Sequence, residues 1–255
     1  MREVELNGHK VRLYDSIDVL PITRFHVYNR MLLVDAGIGS DISDLDNHLE
    51  RAVRYIKGGD RDNAAKELEN LRQNVYMVIT GQNVRHLSFA CLVESIDGEP
   101  CDDLSQEGLT KIVEMLGGAT RKEMTEVLTS VKKKIDGDLS LYFPNLFDDV
   151  STREYYDTLK RLTVTMLQGI TDGEDRKEDI ERLQERLVLF VKPKVFTGHD
   201  GVEVQHDKNF ETLCLMITKE TGREAKRMTV LEYYNAYDYL TRQAKKNRKA
   251  DFKRR

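Results

Sequence analysis

The chain has 255 residues, 40% of them hydrophobic, which is enough to bury a core in one large domain or two small ones. No apolar run approaches the roughly 20 residues that span a bilayer, and the opening MREVELNGHK lacks the apolar stretch of a signal peptide. We therefore expect synthesis in the cytoplasm and no association with a membrane. The three cysteines form no CxxC pair, so the sequence indicates neither a disulfide framework nor a zinc knuckle.

The net charge of −4 is unevenly distributed along the chain. Residues 241–255 hold eight of the 40 basic residues and one of the 44 acidic residues, so this tail carries +7 and the remainder carries −11. Such a division is typical of a charged interaction arm. A solvated helix end whose basic last turn complements the helix dipole is the simpler alternative.

At the N-terminus, Asn7-Gly8 lies between the two alternating runs of REVELNGHKVRL. This is the strongest short signal for a β-hairpin, because both turn positions need positive φ. A two-residue loop pairs Val4 with Val11 and gives the hairpin one apolar face. An isolated hairpin is marginally stable, so this face must dock on the body of the chain or on a neighbouring subunit. The predicted docking residues are Val4, Leu6, Val11 and Leu13.

After Pro21 the pattern becomes helical, and the predicted fold class is mainly α: an N-terminal β-hairpin followed by a multi-helix body. The first two helices end at Gly37 and at Gly58-Gly59. Apolar spacing in DRDNAAKELENLRQNVYMVITG predicts one buried stripe formed by Leu68, Leu71, Val75 and Val78. Further helices are predicted over VRHLSFACLVESI and at 105–116, 120–135, 151–168, 175–190, 208–220 and 229–249.

Three helix starts have the Ser or Thr followed by Glu that forms a capping box. These pairs are Thr120 with Glu123, Ser151 with Glu154, and Thr229 with Glu232. Gly198 and Gly201 favour a second short hairpin near 191–205, in which Pro193 requires an edge position. The predicted units are a β-hairpin at 1–16, helical subdomains at 17–145 and 146–240, and a basic tail at 241–255.

The C-terminal segment MTVLEYYNAYDYLTRQAKKNRKADFKRR places four tyrosines within seven residues. Most of them share one helix face, which indicates a packing stripe in the core or at a subunit interface, and Tyr239 lies off that face. A stacking platform for nucleic acid would need outward aromatics on a basic surface. The predicted partner-binding residues here are Tyr233, Tyr234, Tyr237, Arg242, Lys245, Lys246, Arg248 and Lys249.

The usual signatures of catalysis and of cofactor binding are missing from the sequence, which has no phosphate loop, GxGxxG, GxSxG, HExxH or EF-hand. His199-Asp200 and His206-Asp207 could hold a divalent ion if a turn brought them together. Loop residues need no metal, so we predict no metal and no cofactor. His26, His86 and Cys91 lie in apolar helical segments and are predicted to be packing residues.

Two segments resemble a known class of proteins. VELNGHKVRL followed by DSIDVLPITRF resembles the opening of many tailed-phage morphogenesis proteins, and ETGREAKRMTVLEYYNAYDYLTRQAKK is similar to the C-terminal helical region of phage tail-assembly chaperones and related virion proteins. The resemblance covers about a fifth of the chain. It implies a protein that binds partners during virion assembly in the host cytoplasm, and a connector, ring or other virion component is an equal alternative.

The leading hypothesis is therefore a non-enzymatic virion structural or assembly protein. Its expected partners are other virion or assembly proteins, or further copies of the chain. A nucleic-acid-binding protein that uses the basic tail is the alternative, and we expect that binding to be weak and non-specific. A third hypothesis, an unrecognised metal-dependent enzyme, depends only on the two His-Asp pairs.

Overall fold

Helices dominate the structure, which confirms the predicted fold class. The computed structural model describes residues 1–117, 121–147, 150–190 and 192–253. Up to residue 100 the elements are β1 (Arg2–Leu6), β2 (His9–Leu13), α1 (Ile22–Gly37), α2 (Ile42–Lys57), α3 (Arg61–Thr80), α4 (Val84–Cys91), β3 (Val93–Ile96) and β4 (Glu99–Pro100). Those that follow are α5 (Gln106–Met115), α6 (Arg121–Tyr142), α7 (Pro144–Phe147), α8 (Val150–Asp172), α9 (Lys177–Phe190), α10 (Val202–Thr221), a 3-10 turn (Ala225–Arg227) and α11 (Val230–Lys253).

The N-terminal hairpin forms in the predicted register, with Val4 opposite Val11 and Glu5 opposite Lys10. Asn7 and Gly8 adopt φ values of 50° and 77°, as a two-residue turn of this hand requires. The second strand also pairs with β3, which pairs with β4, so the strand order is β1-β2-β3-β4. The hairpin is thus one half of a four-stranded antiparallel sheet.

The short second hairpin is β3–β4, at 93–100, and does not lie near 191–205. Its turn is Asp97-Gly98, with φ values of 51° and 88°. The predicted helix over VRHLSFACLVESI ends at Cys91, because the residues after Leu92 pair with β2. Sheet pairing therefore overrides the local helical pattern in this segment.

The segment around Gly198 and Gly201 contains the expected turn without strands. The Gly201 N–H donates to the Gly198 carbonyl at 3.1 Å, and the Val202 N–H donates to the Val195 carbonyl at 2.8 Å. Val202 then begins α10, earlier than the predicted 208, so the second arm of the expected hairpin is a helix. The helical row that continues into Cys214 and Ile217 packs on the core, which favours the helix over a strand.

One face of the sheet packs on the surrounding helices and forms the main core. Arg24 of α1 is buried there and ties the helix to the second hairpin, since its guanidinium donates to the Val93 carbonyl at 2.8 Å and to the Cys101 carbonyl, and pairs with Asp102 at 3.1 Å. The core draws on the hairpin and on both predicted helical subdomains, whose boundaries stay a prediction. Its buried members include Leu6, Val11, Leu13, Phe25, Tyr28, Phe89, Leu92, Ile135, Ile217, Val230 and Tyr233.

The third predicted capping box forms as expected. The Thr229 N–H donates to Glu232 Oε2 at 3.1 Å, and the Glu232 N–H donates to the Thr229 hydroxyl at 3.3 Å. Thr120 and the side chain of Ser151 lie outside the described residues, so the other two boxes stay predictions.

Candidate interaction surfaces

The apolar face of the N-terminal hairpin docks on the body of its own chain. Leu6, Val11 and Leu13 are buried in the main core, and Val4 packs against it partly buried. These side chains stabilise the fold, and their burial leaves no apolar face for a partner. Their predicted role in partner binding is therefore corrected to a role in folding.

The tyrosines of α11 form a packing stripe in the core, the first of the two interpretations offered by the sequence. Tyr233 is buried, while Tyr234 and Tyr237 are partly buried against the core. The Tyr234 ring contacts Phe143 at 5.7 Å and Phe25 at 6.3 Å between ring centroids. Burial raises the pKa of Tyr234 to about 12. These three rings face the core of their own chain, so their predicted contact with a partner is also corrected.

The basic end of α11 is exposed where its side chains are described. Arg242 forms an ion pair with Asp238 at 2.7 Å, one helical turn earlier, and Lys245 and Lys246 face solvent. Arg248 and Lys249 belong to the same helix, and their side chains lie outside the described residues. The predicted tail is thus a continuation of the helix as far as Lys253.

The two His-Asp pairs lie in different settings. His199 contacts Asp200 at 2.9 Å in an exposed loop. Asp207 of α10 instead accepts from Arg30 of α1 at 3.1 Å and contacts His26 at 2.8 Å. Within the described ranges, no group of three or more His, Cys, Asp or Glu side chains could hold a metal ion.

His26 is a packing residue, as predicted, and it also joins a cluster of titratable groups between α1 and α10. Its ring stacks on Phe210 at 3.9 Å and on His206 at 4.4 Å between centroids. Burial lowers the pKa of His26, the Asp207 hydrogen bond opposes this shift, and the charge of His206 adds to it. Burial raises the pKa of the neighbouring Glu203. The cluster fixes α10 against α1.

The α2–α3 helical hairpin contains a group of buried polar side chains, which we call the polar seam. The sequence does not predict it. His48 and Glu67 lie 2.7 Å apart, and both are buried. Arg51 Nε lies 3.0 Å from the other oxygen of Glu67, and Asn74 donates to the Ile38 carbonyl at 2.9 Å. The only signal in the sequence is that polar residues occupy the helical row between apolar positions.

This seam reverses part of the predicted stripe on α3. Leu71 and Val78 are partly buried, whereas Leu68 and Val75 are exposed. Glu67, Asn70 and Asn74 are buried instead. Leu68 and Val75 each follow one of these buried residues by one position, so their side chains point about 100° away from the buried side of the helix. The spacing of apolar residues does not show that Glu67 has a buried partner on α2 and so takes a position in the core.

The apolar residues displaced by the seam form a surface that we call the hairpin face. Their exposed fractions range from 38% to 78%. Large apolar side chains that are grouped on one exposed surface mark protein-binding sites more often than single scattered ones do. The hairpin face consists of Ile42, Leu49, Val53 and Ile56 on α2 and of Leu68, Val75 and Ile79 on α3.

A groove borders the hairpin face on the side of α9. It has a volume of about 870 Å³, and Leu49 and Val53 form its apolar wall. Glu181 and Glu185 of α9 line the other side, and Gln184 accepts from Arg54 at 2.9 Å, which holds the two helices together. The apolar surface of α2 therefore continues into an acidic cleft.

In comparisons with known proteins, no family model, curated protein or solved structure matches the chain. In the part of the chain that the structure describes, no helix is long and apolar enough to cross a membrane.

Proposed function

We propose that this protein is a non-enzymatic structural or assembly protein of a tailed-phage virion, and that it works by binding other proteins. The observation that carries the proposal is the hairpin face, with seven exposed apolar side chains on two adjacent helices. Leaving such a surface in water is unfavourable at about 25 cal/mol per Å². A protein that assembles with others can bury such a surface against its partners.

The proposal is also supported by the setting of the titratable groups. His48 and Glu67 are buried, while His26 and Asp207 join two packed helices. Burial raises the pKa of Cys91 to about 12, so this thiol is protonated and a poor nucleophile at neutral pH. Each of these groups thus has a structural role. The link to phages in particular comes from the resemblance of the two terminal segments.

Nucleic-acid binding through the basic end of α11 is the second candidate. Exposed Lys245 and Lys246 favour it. Against it, Arg242 is already paired with Asp238, and Tyr233, Tyr234 and Tyr237 pack on the core instead of offering a stacking surface.

The proposal is tested in the phage that would encode the chain. Its gene is expected to lie beside genes for portal, tail-tube or tape-measure proteins. A stop codon early in the gene should give incomplete particles in electron micrographs and a loss of plaques, and a plasmid copy should restore both. Normal particle yield and normal plaques from the stop-codon phage would overturn the proposal.

A further inference from the structure

We infer that the hairpin face binds the same face of a second copy of this chain, which makes a four-helix bundle from two α2–α3 hairpins. The inference rests on the proposed function, because it names the first partner in that assembly. Two properties of the face support a second copy as its occupant: the side on which its two rows lie, and their charges.

Both rows lie on the same side of the helical hairpin. On α2 the buried residues facing α3 include His48, Ala52 and Tyr55, and the exposed row follows each by one position, at 49, 53 and 56. On α3 the buried residues include Ala64, Glu67 and Asn74, and again the exposed positions follow by one. Since the two helices run antiparallel, equal rotations bring both rows to one side of the pair.

The exposed positions follow the spacing of helix-bundle seams. On α2 they are 42, 46, 49, 53 and 56, and on α3 they are 61, 65, 68, 72, 75 and 79. Alternating steps of four and three are the heptad pattern with which helices pack at about 20°. Any row along one face of an α-helix repeats with these steps, so the spacing shows only that both rows can pack as seams of a bundle.

The polar members of the two rows have opposite charges. Asp46 interrupts the α2 row, and Arg61 and Arg72 interrupt the α3 row. Arg72 contacts Glu69 at 2.7 Å, and its side chain is 73% exposed, so it remains accessible to another carboxylate. One chain thus carries both halves of a complementary pair, which is what a two-fold symmetric contact requires.

The His48–Glu67 contact fixes the relative height of the two helices, and Asp46 lies at the height of residues between Leu68 and Arg72. A two-fold axis parallel to the helices places α2 of one copy over α3 of the other, antiparallel to it. Asp46 then meets Arg72 of the second copy, while Leu49 meets the stretch from Ala65 to Leu68. All neighbouring helices run antiparallel, as in up-and-down bundles.

The size of the face is sufficient for a reversible dimer. With 16 and 20 residues in the two helices, the face is about 24 to 30 Å long and about 20 Å wide. The footprint is about 500 to 600 Å² on each copy, or roughly 1,000 to 1,200 Å² in total, which is the range of weak, reversible interfaces.

Sedimentation velocity on the full chain tests the inference at concentrations up to about 100 µM. The wild-type mass should rise from 29.5 kDa towards twice that value. Leu49→Glu should remain monomeric with unchanged circular dichroism, because Leu49 is exposed in the single chain. The matched control is Leu215→Glu on α10, which is 71% exposed and should dimerise like the wild type.

A charge exchange tests the arrangement. Asp46→Arg and Arg72→Asp should each weaken dimerisation about tenfold, because the two-fold axis repeats the contact and each variant makes it repulsive. The double variant should recover most of this loss. A monomeric wild type, a dimer that survives Leu49→Glu, a double variant no tighter than the single ones, or a different protein bound to this face while the chain stays monomeric would each overturn the inference. A monomeric wild type would leave the phage experiment unaffected, so the two failures are distinguishable.

Discussion

The His48 imidazole and the Glu67 carboxylate meet at 2.7 Å between Nδ1 and Oε2, and only 2% of each side chain is exposed. The second ring nitrogen of His48 faces the Ile38 carbonyl at 2.8 Å, so both nitrogens contact acceptors. This arrangement locks α2 against α3 and against the end of α1. It also fixes which residues of the two helices face water, and so creates the hairpin face.

We expect His48→Leu to lower the free energy of unfolding by about 3 to 5 kcal/mol, because it leaves the buried Glu67 with one partner fewer. The double variant His48→Leu, Glu67→Leu should recover part of the loss, since it removes both buried polar groups. Urea denaturation followed by circular dichroism measures both. Glu50→Gln, on the exposed side of the same helix, is the control. Equal stability of the single variant and the wild type would show that the pair contributes nothing.

Arg24→Met should be similarly destabilising, by about 3 kcal/mol or more, because it leaves buried carbonyls without donors. Arg24→Lys keeps the charge but cannot reach the Val93 and Cys101 carbonyls together, so it should recover only part of the loss. Arg182→Ala, which removes an exposed arginine, is the control and should stay within about 0.5 kcal/mol of the wild type. Thermal and urea denaturation are the measurements, and a stable Arg24→Met variant would contradict the role of this residue in joining α1 to the sheet.

Acidification should weaken the contact between α1 and α10. The pKa of His26 is lower in the folded protein than its ordinary value of 6.5, so the unfolded chain binds the proton first. The stabilisation is therefore complete above this value and decreases as the pH falls through the window below it. Glu203 acts in the opposite direction nearer its own ordinary value of 4.5, since its folded pKa is raised.

His26→Gln should therefore flatten the dependence of the melting temperature on pH as the pH falls below 6.5. Glutamine can still donate to Asp207 but does not titrate. His199→Gln, in the exposed loop, is the control and should leave the dependence unchanged. An identical pH profile in wild type and His26→Gln would refute the prediction.

Binding of duplex DNA should be weak, and it should be lost as salt rises, with a log–log slope of about 0.9 for each phosphate neutralised. The variant Lys245→Gln, Lys246→Gln should reduce that slope by about two without changing self-association, because these side chains are exposed on α11 and are not part of the hairpin face. Fluorescence anisotropy across salt concentrations measures it. Tight binding at physiological salt that the variant abolishes would promote the nucleic-acid hypothesis.

The sequence predicts those elements whose signals are local. Asn7-Gly8 determines the register of the hairpin through its backbone conformation, and Thr229 with Glu232 marks a helix start through two short-range hydrogen bonds. The four-stranded sheet was missed because Val93–Ile96 lies 80 residues from its partner strand, and its local pattern is helical. No local signal reports a pairing of that length.

The hairpin face is not predicted from the sequence for a different reason. Hydrophobicity predicted that Leu68 and Val75 would be buried, while the packing buries Glu67 and Asn74. A buried polar residue is stable only with its partner, and the partners of Glu67 are on another helix. The hairpin face therefore becomes visible only once the two helices are placed together.

The most direct test of protein binding through the hairpin face is complementation of the stop-codon phage by variant genes. Leu49→Glu should be expressed and folded but should restore neither particles nor plaques, whereas Leu215→Glu, which adds the same charge at an exposed leucine of α10, should restore both. Full complementation by Leu49→Glu would contradict a role for this face in assembly.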